Sequence, residues 1–343
     1  MTAPASRRRW PRRIAAGGVG VTLALLLVEG ALRLAGVTAE PRRLFDPGIF
    51  RSDPELRWAL VPDYRGVYRN DTELTPTRTN PEGFRGPAWS TRAARRIVAL
   101  GDSCTFGMGV ADEDAYPAQL AALLRARGED AAVFNLGVMG YDTHQEAALL
   151  ARALAPLTPE AVVLGWLPND ASDPAAPDPT HVRAGYLVED DADYAAWVAR
   201  RERRGLNHSL TYRVLRVRAK QLGTALGASR DTWTSDWLDA PTLAPSLASL
   251  SRIHALCAAA GARLVVVLFP RREEVDDPSH DLAHYARVRA HVEALGATVI
   301  DLPHAWRQAR PPGELYRPRD NTHLAPAGYA DVARRVAAVL DPR

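Results

Sequence analysis

The chain has 343 residues, 47% of them hydrophobic, enough for one large core or two modest ones. Its net charge is +3, but five of its 43 basic residues lie in the first thirteen positions with no acid among them. The remainder is close to balanced, which excludes a broad basic surface for nucleic acid. Two cysteines, Cys104 and Cys257, are too few for a disulfide framework or a cysteine zinc cluster.

The basic run "SRRRWPRR" precedes "IAAGGVGVTLALLLVEGALRLAG", in which no residue from Ile14 to Val28 is charged. Ile14 to Ala35 is 22 residues, which at about 1.5 Å per residue is long enough to cross a bilayer core. Glu29 and Arg33 are four apart, so on a helix they face each other near the membrane edge. The arginines predict a cytoplasmic N-terminus and an exported body: a single-pass anchor over residues 1–39 with an extracytoplasmic domain. The rival reading is a signal peptide cleaved after Ala39, in "VTAE".

Residues 40–94 are rich in Pro, Arg and turn formers and end in "TNPEGFRG". They read as an irregular lead-in packed on the main domain, with short edge strands. From residue 95 to 343 the pattern becomes regular. Strands are predicted at "RIVALG", "DAAVFNLG", "EAVVLGW", "ARLVVVLFP" and "ATVIDL". Between and after them, helices are predicted at "YPAQLAALLRARG", "THQEAALLARAL" (capped by Thr143), "SLASLSRIHALCAAAG", "DLAHYARVRAHVEALG" and "APAGYADVARRVAAVL". Five apolar strands alternating with helices specify an α/β domain: a five-stranded parallel sheet with helices on both faces. Its ligand site belongs at the carboxyl ends of the strands. Residues 172–244 interrupt the pattern as an insertion or lid, with helices expected at "DADYAAWVARRERRG" and "SLTYRVLRVRAKQLG".

Chemistry-bearing residues fall where that fold would use them. Ser103, in "GDSCTFGMG", follows the first strand in a glycine-bearing turn, where a hydroxyl is exposed beside backbone N–H groups. Of nine histidines, His144, His254, His284 and His291 sit in helical patterns, where a solvated or core role is expected. His323 instead lies in a loop before the last helix, three residues after Asp320, a spacing that lets a carboxylate hold one ring nitrogen. Asp301, at the end of a strand, is a second candidate for that carboxylate, though spacing favours Asp320. Gly140 in "NLGVMGYDT" and Asn169 in "LGWLPNDASD" follow strand ends and can donate hydrogen bonds. Asp102 and Asp170 are expected to fix their turns through backbone bonds.

In this order the four pieces resemble the four blocks of the SGNH, or GDSL, hydrolase superfamily. "GDSCTFGMG" is similar to the nucleophile block, "GVMGYDT" to the second, "LPND" to the third and "DNTH" to the fourth. The resemblance runs from about Ile97 to Leu340. It implies a flavodoxin-like three-layer α/β/α fold with Ser103 as nucleophile and Asp320 and His323 as acid and base. Ser103, Gly140 and Asn169 would line the oxyanion hole, and no metal or organic cofactor is implied. The third block often has glycine where this chain has Leu167, which puts the local turn in question. The membrane segment, the "NPEGFRG" lead-in and the "HSLTYR" stretch resemble a bacterial membrane-anchored subgroup. The implied activity is a carboxylic ester hydrolase acting on small acyl groups, including acyl groups on carbohydrate. Two alternatives stand beside it: an O-acyltransferase modifying cell-envelope polysaccharide, and a catalytically silent, membrane-tethered scaffold or binding protein. No nucleic-acid partner is expected, and oligomeric state has no sequence signature here.

Overall fold

The computed structural model describes residues 10–35, 44–69, 74–175, 178–192, 195, 209, 211–212, 214–215, 238–309, 314–317 and 320–341. The chain divides into two compact units. One comprises Met1–Leu44, Arg69–Leu74 and Asp190–Thr232, and the other Phe45–Tyr68, Thr75–Glu189 and Trp233–Arg343.

In the first unit, α1 spans Trp10–Leu34. Its Arg13–Leu34 stretch has mean hydropathy 1.9 and none of its most apolar window is buried in protein. It is the one described helix long and apolar enough to cross a membrane. Glu29 and Arg33 pair as their spacing requires, with Arg33 Nη2 2.7 Å from Glu29 Oε1. The other carboxylate oxygen accepts from Ser209 Oγ (2.9 Å), Thr211 N (2.9 Å) and Thr211 Oγ1 (3.0 Å). The helices expected across "DADYAAWVARRERRG" and "SLTYRVLRVRAKQLG" fall mostly outside the described residues.

Short strands follow in the chain, all but their end residues Leu44, Arg69 and Leu74 in the second unit: β1 (Leu44–Asp46), β2 (Phe50–Asp53), β3 (Arg57–Leu60), β4 (Arg65–Arg69) and β5 (Leu74–Arg78). The β2–β3 pair is an antiparallel hairpin with Phe50 opposite Leu60. The main sheet is built from β6 (Arg95–Gly101), β7 (Ala131–Gly137), β8 (Ala161–Trp166), β11 (Arg263–Leu268) and β12 (Thr298–Asp301). A further hairpin, β9 (His181–Arg183) with β10 (Tyr186–Val188), opens the insertion. Sheet order is β12-β11-β8-β6-β7, and every neighbouring pair is parallel.

Side-chain alternation explains why the central strands read as unbroken apolar runs. Val98 and Leu100 of β6, Val162 and Leu164 of β8, and Val266 and Leu268 of β11 enter one core. Ile97, Ala99, Val163, Val265 and Val267 enter the other. A strand buried on both faces has no polar side. The first core is closed by α4 (Thr143–Leu157), α5 (Ala240–Ala259) and, after the short α6 (Arg272–Asp276), α7 (Ala283–Ala294), the second by α3 (Tyr116–Ala126), α8 (Leu302–Ala309) and α9 (Pro326–Val339). This is the three-layer arrangement expected. The chain leaves β6 toward β7 on one side and continues from β8 on the other, so the crevice between the carboxyl ends of β6 and β8 is the switch point where open α/β sheets bind ligands.

Two local readings shift. The cap of α4 is Asp142, not Thr143: the Asp142 carboxylate accepts from Gln145 N at 2.8 Å, and Gln145 returns a bond to Asp142 N. A carboxylate there also suits the helix dipole, while the Thr143 hydroxyl turns inward onto the Asp170 carbonyl at 3.1 Å. Helix α5, read from Ser246, starts at Ala240 because Asp239 caps it and proline occupies its first turn.

Candidate active site

Strand β6 ends at Gly101 (φ +151°), where a Cβ would lie 2.2 Å from Thr105 Oγ1. The tight turn passes into α2 (Ser103–Phe106), placing Ser103 at the helix start with its backbone N–H among the groups an α-helix leaves unpaired. Asp102 caps this helix by accepting from Cys104 N at 2.9 Å. The exit of α2 is held by Arg85 of the "NPEGFRG" segment. Its buried guanidinium donates to the carbonyls of Phe106 (3.0 Å), Gly107 (2.5 Å) and Val110 (2.6 Å), with Asp112 as counterion at 2.8 Å.

The loop before α9 brings His323 to this helix. Its Nε2 lies 2.9 Å from Ser103 Oγ. Its Nδ1 lies 3.0 Å from Asp320 Oδ2 and 3.2 Å from Oδ1. With Nδ1–H donating to the carboxylate, Nε2 is the acceptor that faces the hydroxyl. Asp320 is fixed in turn by the N–H groups of Thr322 (3.1 Å) and His323 (3.0 Å), and Arg317 Nη1 stands 3.6 Å from its Oδ2. Both Asp320 and His323 are buried. The loop is tied to its surroundings where Arg272 N donates to the Asn321 carbonyl at 2.7 Å. Asp301, the second candidate, lies elsewhere: it holds His304 Nδ1 at 2.9 Å and Arg289 at 3.2 Å on the outer strand β12.

Asn169 sits in the 3-10 turn Pro168–Asp170 after β8. Its amide nitrogen donates to Asp102 Oδ2 at 3.1 Å and to Asp170 Oδ1 at 3.4 Å, which joins this turn to the Ser103 segment. Leu167, where related blocks carry glycine, has φ −119° and is fully buried, so the turn needs no left-handed residue there. Gly140 does: its φ is +79°, and it is exposed in the loop that follows β7. That loop is fastened to the end of β6 by a 3.0 Å bond from Val138 N to the Gly101 carbonyl.

Electrostatics beneath the site are acidic. Asp102, Glu146 and Asp170 are all buried. Asp170 accepts from Leu167 N at 2.7 Å and from Asn169 Nδ2 at 3.4 Å. Neither carboxyl oxygen of Glu146 has a hydrogen-bond partner among the described residues. Burial, then the neighbouring carboxylates Asp102 and Asp142, push its carboxyl well above the ordinary range, and burial with Glu146 and Asp102 does the same to Asp170. Burial likewise raises the Cys104 thiol well above its usual value, which makes it a packing residue and not a second nucleophile. Among the described residues no cluster of three or more His, Cys, Asp or Glu is arranged to hold a metal ion.

Residue type and position single out Ser103, Asp320, His323 and Asn169 in the sequence, and the structure brings Ser103, His323 and Asp320 into one chain of contacts. Nothing in the sequence assigns a role to Arg85, Arg317 or Glu146. Arg85 lies in a segment already marked as distinctive, which was its one signal, while Arg317 precedes Asp320 by three residues in an otherwise irregular loop.

Residues 99–330 match the model of the GDSL-like lipase/acylhydrolase family. The chain belongs to that family. No curated protein matches it significantly. Among solved structures it is similar to TesA (16% identity, covering 72% of this chain and 99% of that one, TM-score 0.43). It is also similar to LAE5, an α/β hydrolase from the metagenome of Lake Arreo, Spain (17%, 73% and 98%, TM-score 0.44). A third similar structure is a variant of the acetyl-xylooligosaccharide esterase Axe2 from Geobacillus stearothermophilus (14%, 73% and 96%, TM-score 0.44).

Proposed function

We propose that this chain is a membrane-anchored serine esterase that cleaves carboxylic esters of small acyl groups, including those carried on carbohydrate. The observation that carries the reading is the continuous chain of contacts Ser103–His323–Asp320, at 2.9 and 3.0 Å. In the mechanism, Ser103 Oγ attacks the ester carbonyl carbon as its proton passes to His323 Nε2. The Asp320 carboxylate steadies the resulting imidazolium. The oxyanion is held by the N–H groups of Ser103 and Gly140 and by the side-chain amide of Asn169. Collapse of the tetrahedral intermediate expels the alcohol, which takes the proton from His323. Water then attacks the acyl-enzyme, again losing its proton to His323, and the acid leaves as Ser103 Oγ is reprotonated.

The anchor reading is supported by Glu29. Its carboxylate sits near the end of α1 and receives Arg33 together with Ser209 and Thr211 from the insertion. A helix so joined to a later part of the chain is built to remain with it, with the N-terminal arginines on the cytoplasmic side and the hydrolase domain outside.

The test is p-nitrophenol release from acetyl, butyryl and octanoyl esters by the full chain in detergent, as wild type and as Ser103→Ala. Turnover by wild type alone supports the esterase. Acyl transfer to an added glycan in preference to water would reassign the same site to an O-acyltransferase. A folded wild type inert in both assays would favour a silent scaffold.

A further inference from the structure

We propose that Trp58, in the hairpin preceding the hydrolase sheet, is a positioning residue that aims the backbone N–H of Gly140. The proposal rests on the reading of Gly140 as an oxyanion donor. Gly140 has no side chain to hold it and sits at φ +79° in a loop, so the direction of its N–H must be fixed from outside. Trp58 Nε1 donates to the carbonyl of Met139 at 3.1 Å. That carbonyl and the Gly140 N–H belong to one peptide unit. Such a unit is planar and trans, so its C=O and N–H point in opposite directions. Holding the Met139 oxygen against Trp58 therefore turns the Gly140 N–H away from the hairpin.

The contact is returned. Tyr141, one residue beyond Gly140, donates its hydroxyl to the Trp58 carbonyl at 2.5 Å, and the two rings lie 5.8 Å apart. Both side chains are buried. A Cβ at Gly140 would meet Trp58 Cζ2 at 3.5 Å and Leu187 Cδ1 at 3.8 Å, so the loop lies between the lead-in hairpin and the insertion hairpin. The clamp is itself anchored. Gln145 Nε2 donates to the Leu56 carbonyl at 2.8 Å, and the Arg57 guanidinium, 5.6 Å from the centre of the Trp58 ring, reaches the Thr180 carbonyl at 2.7 Å. Val138 and Tyr141 also line a pocket of about 230 Å³.

Removing the indole N–H while keeping an aromatic ring separates aim from packing. The full chain in detergent is labelled with a fluorophosphonate, whose phosphoryl oxygen occupies the oxyanion position. Trp58→Phe is expected to lower the maximal labelling rate (kinact) about tenfold or more, since an oxyanion donor contributes up to about 10²–10³ in rate. KI should stay within about twofold, because ground-state binding is untouched. The number of sites finally labelled and the shape of the pH–rate profile should match wild type, which a merely destabilised protein would not do. Tyr141→Phe should show the same split. It decides the matter by the same criteria if Trp58→Phe does not fold. A kinact within about twofold of wild type, with Ser103→Ala unlabelled, overturns the Trp58 proposal and leaves the esterase reading standing. Undiminished labelling of Ser103→Ala would overturn both.

Discussion

His323 Nε2 stands 2.9 Å from Ser103 Oγ although 220 positions separate the two residues in the chain. Strand β6 delivers the serine and the loop before the last helix delivers the imidazole, so only the folded sheet brings them together. Ser103→Ala and His323→Ala should each abolish ester turnover, and Asp320→Asn should reduce kcat by about 10⁴ by favouring the wrong imidazole tautomer. Steady-state kinetics on the three variants checks this, with unchanged melting of Ser103→Ala showing that the fold is intact.

Asn169 is expected to act in the transition state and not in binding. Asn169→Ala should lower kcat by about 10²–10³ and leave KM close to wild type. A rise in KM at unchanged kcat would place the amide in ground-state recognition.

Gly137 ends β7 directly against α2. A Cβ there would lie 2.1 Å from Phe106 N and 2.7 Å from its Cα, both backbone atoms that cannot move aside alone. Gly137→Ala should destabilise the domain by about 1–3 kcal/mol or more and displace the helix that carries Ser103. Thermal melting together with residual activity would show both effects.

Glu146 makes stability depend on pH. Its folded-state carboxyl is raised by burial, so folding takes up a proton above the unfolded value near 4.5. The stability linked to it is fully present below that value and is lost progressively as pH rises toward the folded value, at about 1.4 kcal/mol per pH unit. Glu146→Gln removes the titration. Its melting temperature relative to wild type should therefore climb between pH 5 and pH 8, and a constant difference would contradict the assignment.

Asp53 works in the opposite sense. Arg152 holds its carboxylate in two bonds of 2.9 Å, and this pairing, with added help from the Leu56 and Glu55 N–H groups, keeps the carboxyl well below the ordinary range. The linked stability is present above the unfolded value near 3.8 and is lost as pH falls below it. Arg152→Met should flatten the acid limb of the melting curve measured from pH 5 to pH 2.

The sheet and the candidate site residues are legible in the sequence for a common reason. Strands β6, β8 and β11 are buried on both faces and so read as apolar runs, and each of Ser103, Asn169 and His323 lies just past a strand end or in a turn. Long-range fixtures left no such trace. Trp58 and Met139, or Arg85 and Gly107, meet only in the fold, and nothing local in "ELRWALV" or "NPEGFRG" specifies the partner. The sequence pattern does not mark helix α8 (Leu302–Ala309), because it starts at once after β12 and its cap, Asp301, which accepts from His304 N at 3.2 Å, is also the last residue of that strand. A hydroxyl at Thr143 suits a cap position, but the adjacent Asp142 offers a stronger acceptor at the same helix end.

The most direct measurement is mass spectrometry of the full chain after fluorophosphonate treatment, as wild type and as His323→Ala. The account predicts a single phosphonyl adduct on the peptide containing Ser103 in wild type, and its loss or severe slowing in His323→Ala. An adduct on another residue, or equal labelling of Ser103 in both proteins, would contradict the claim that His323 activates this serine.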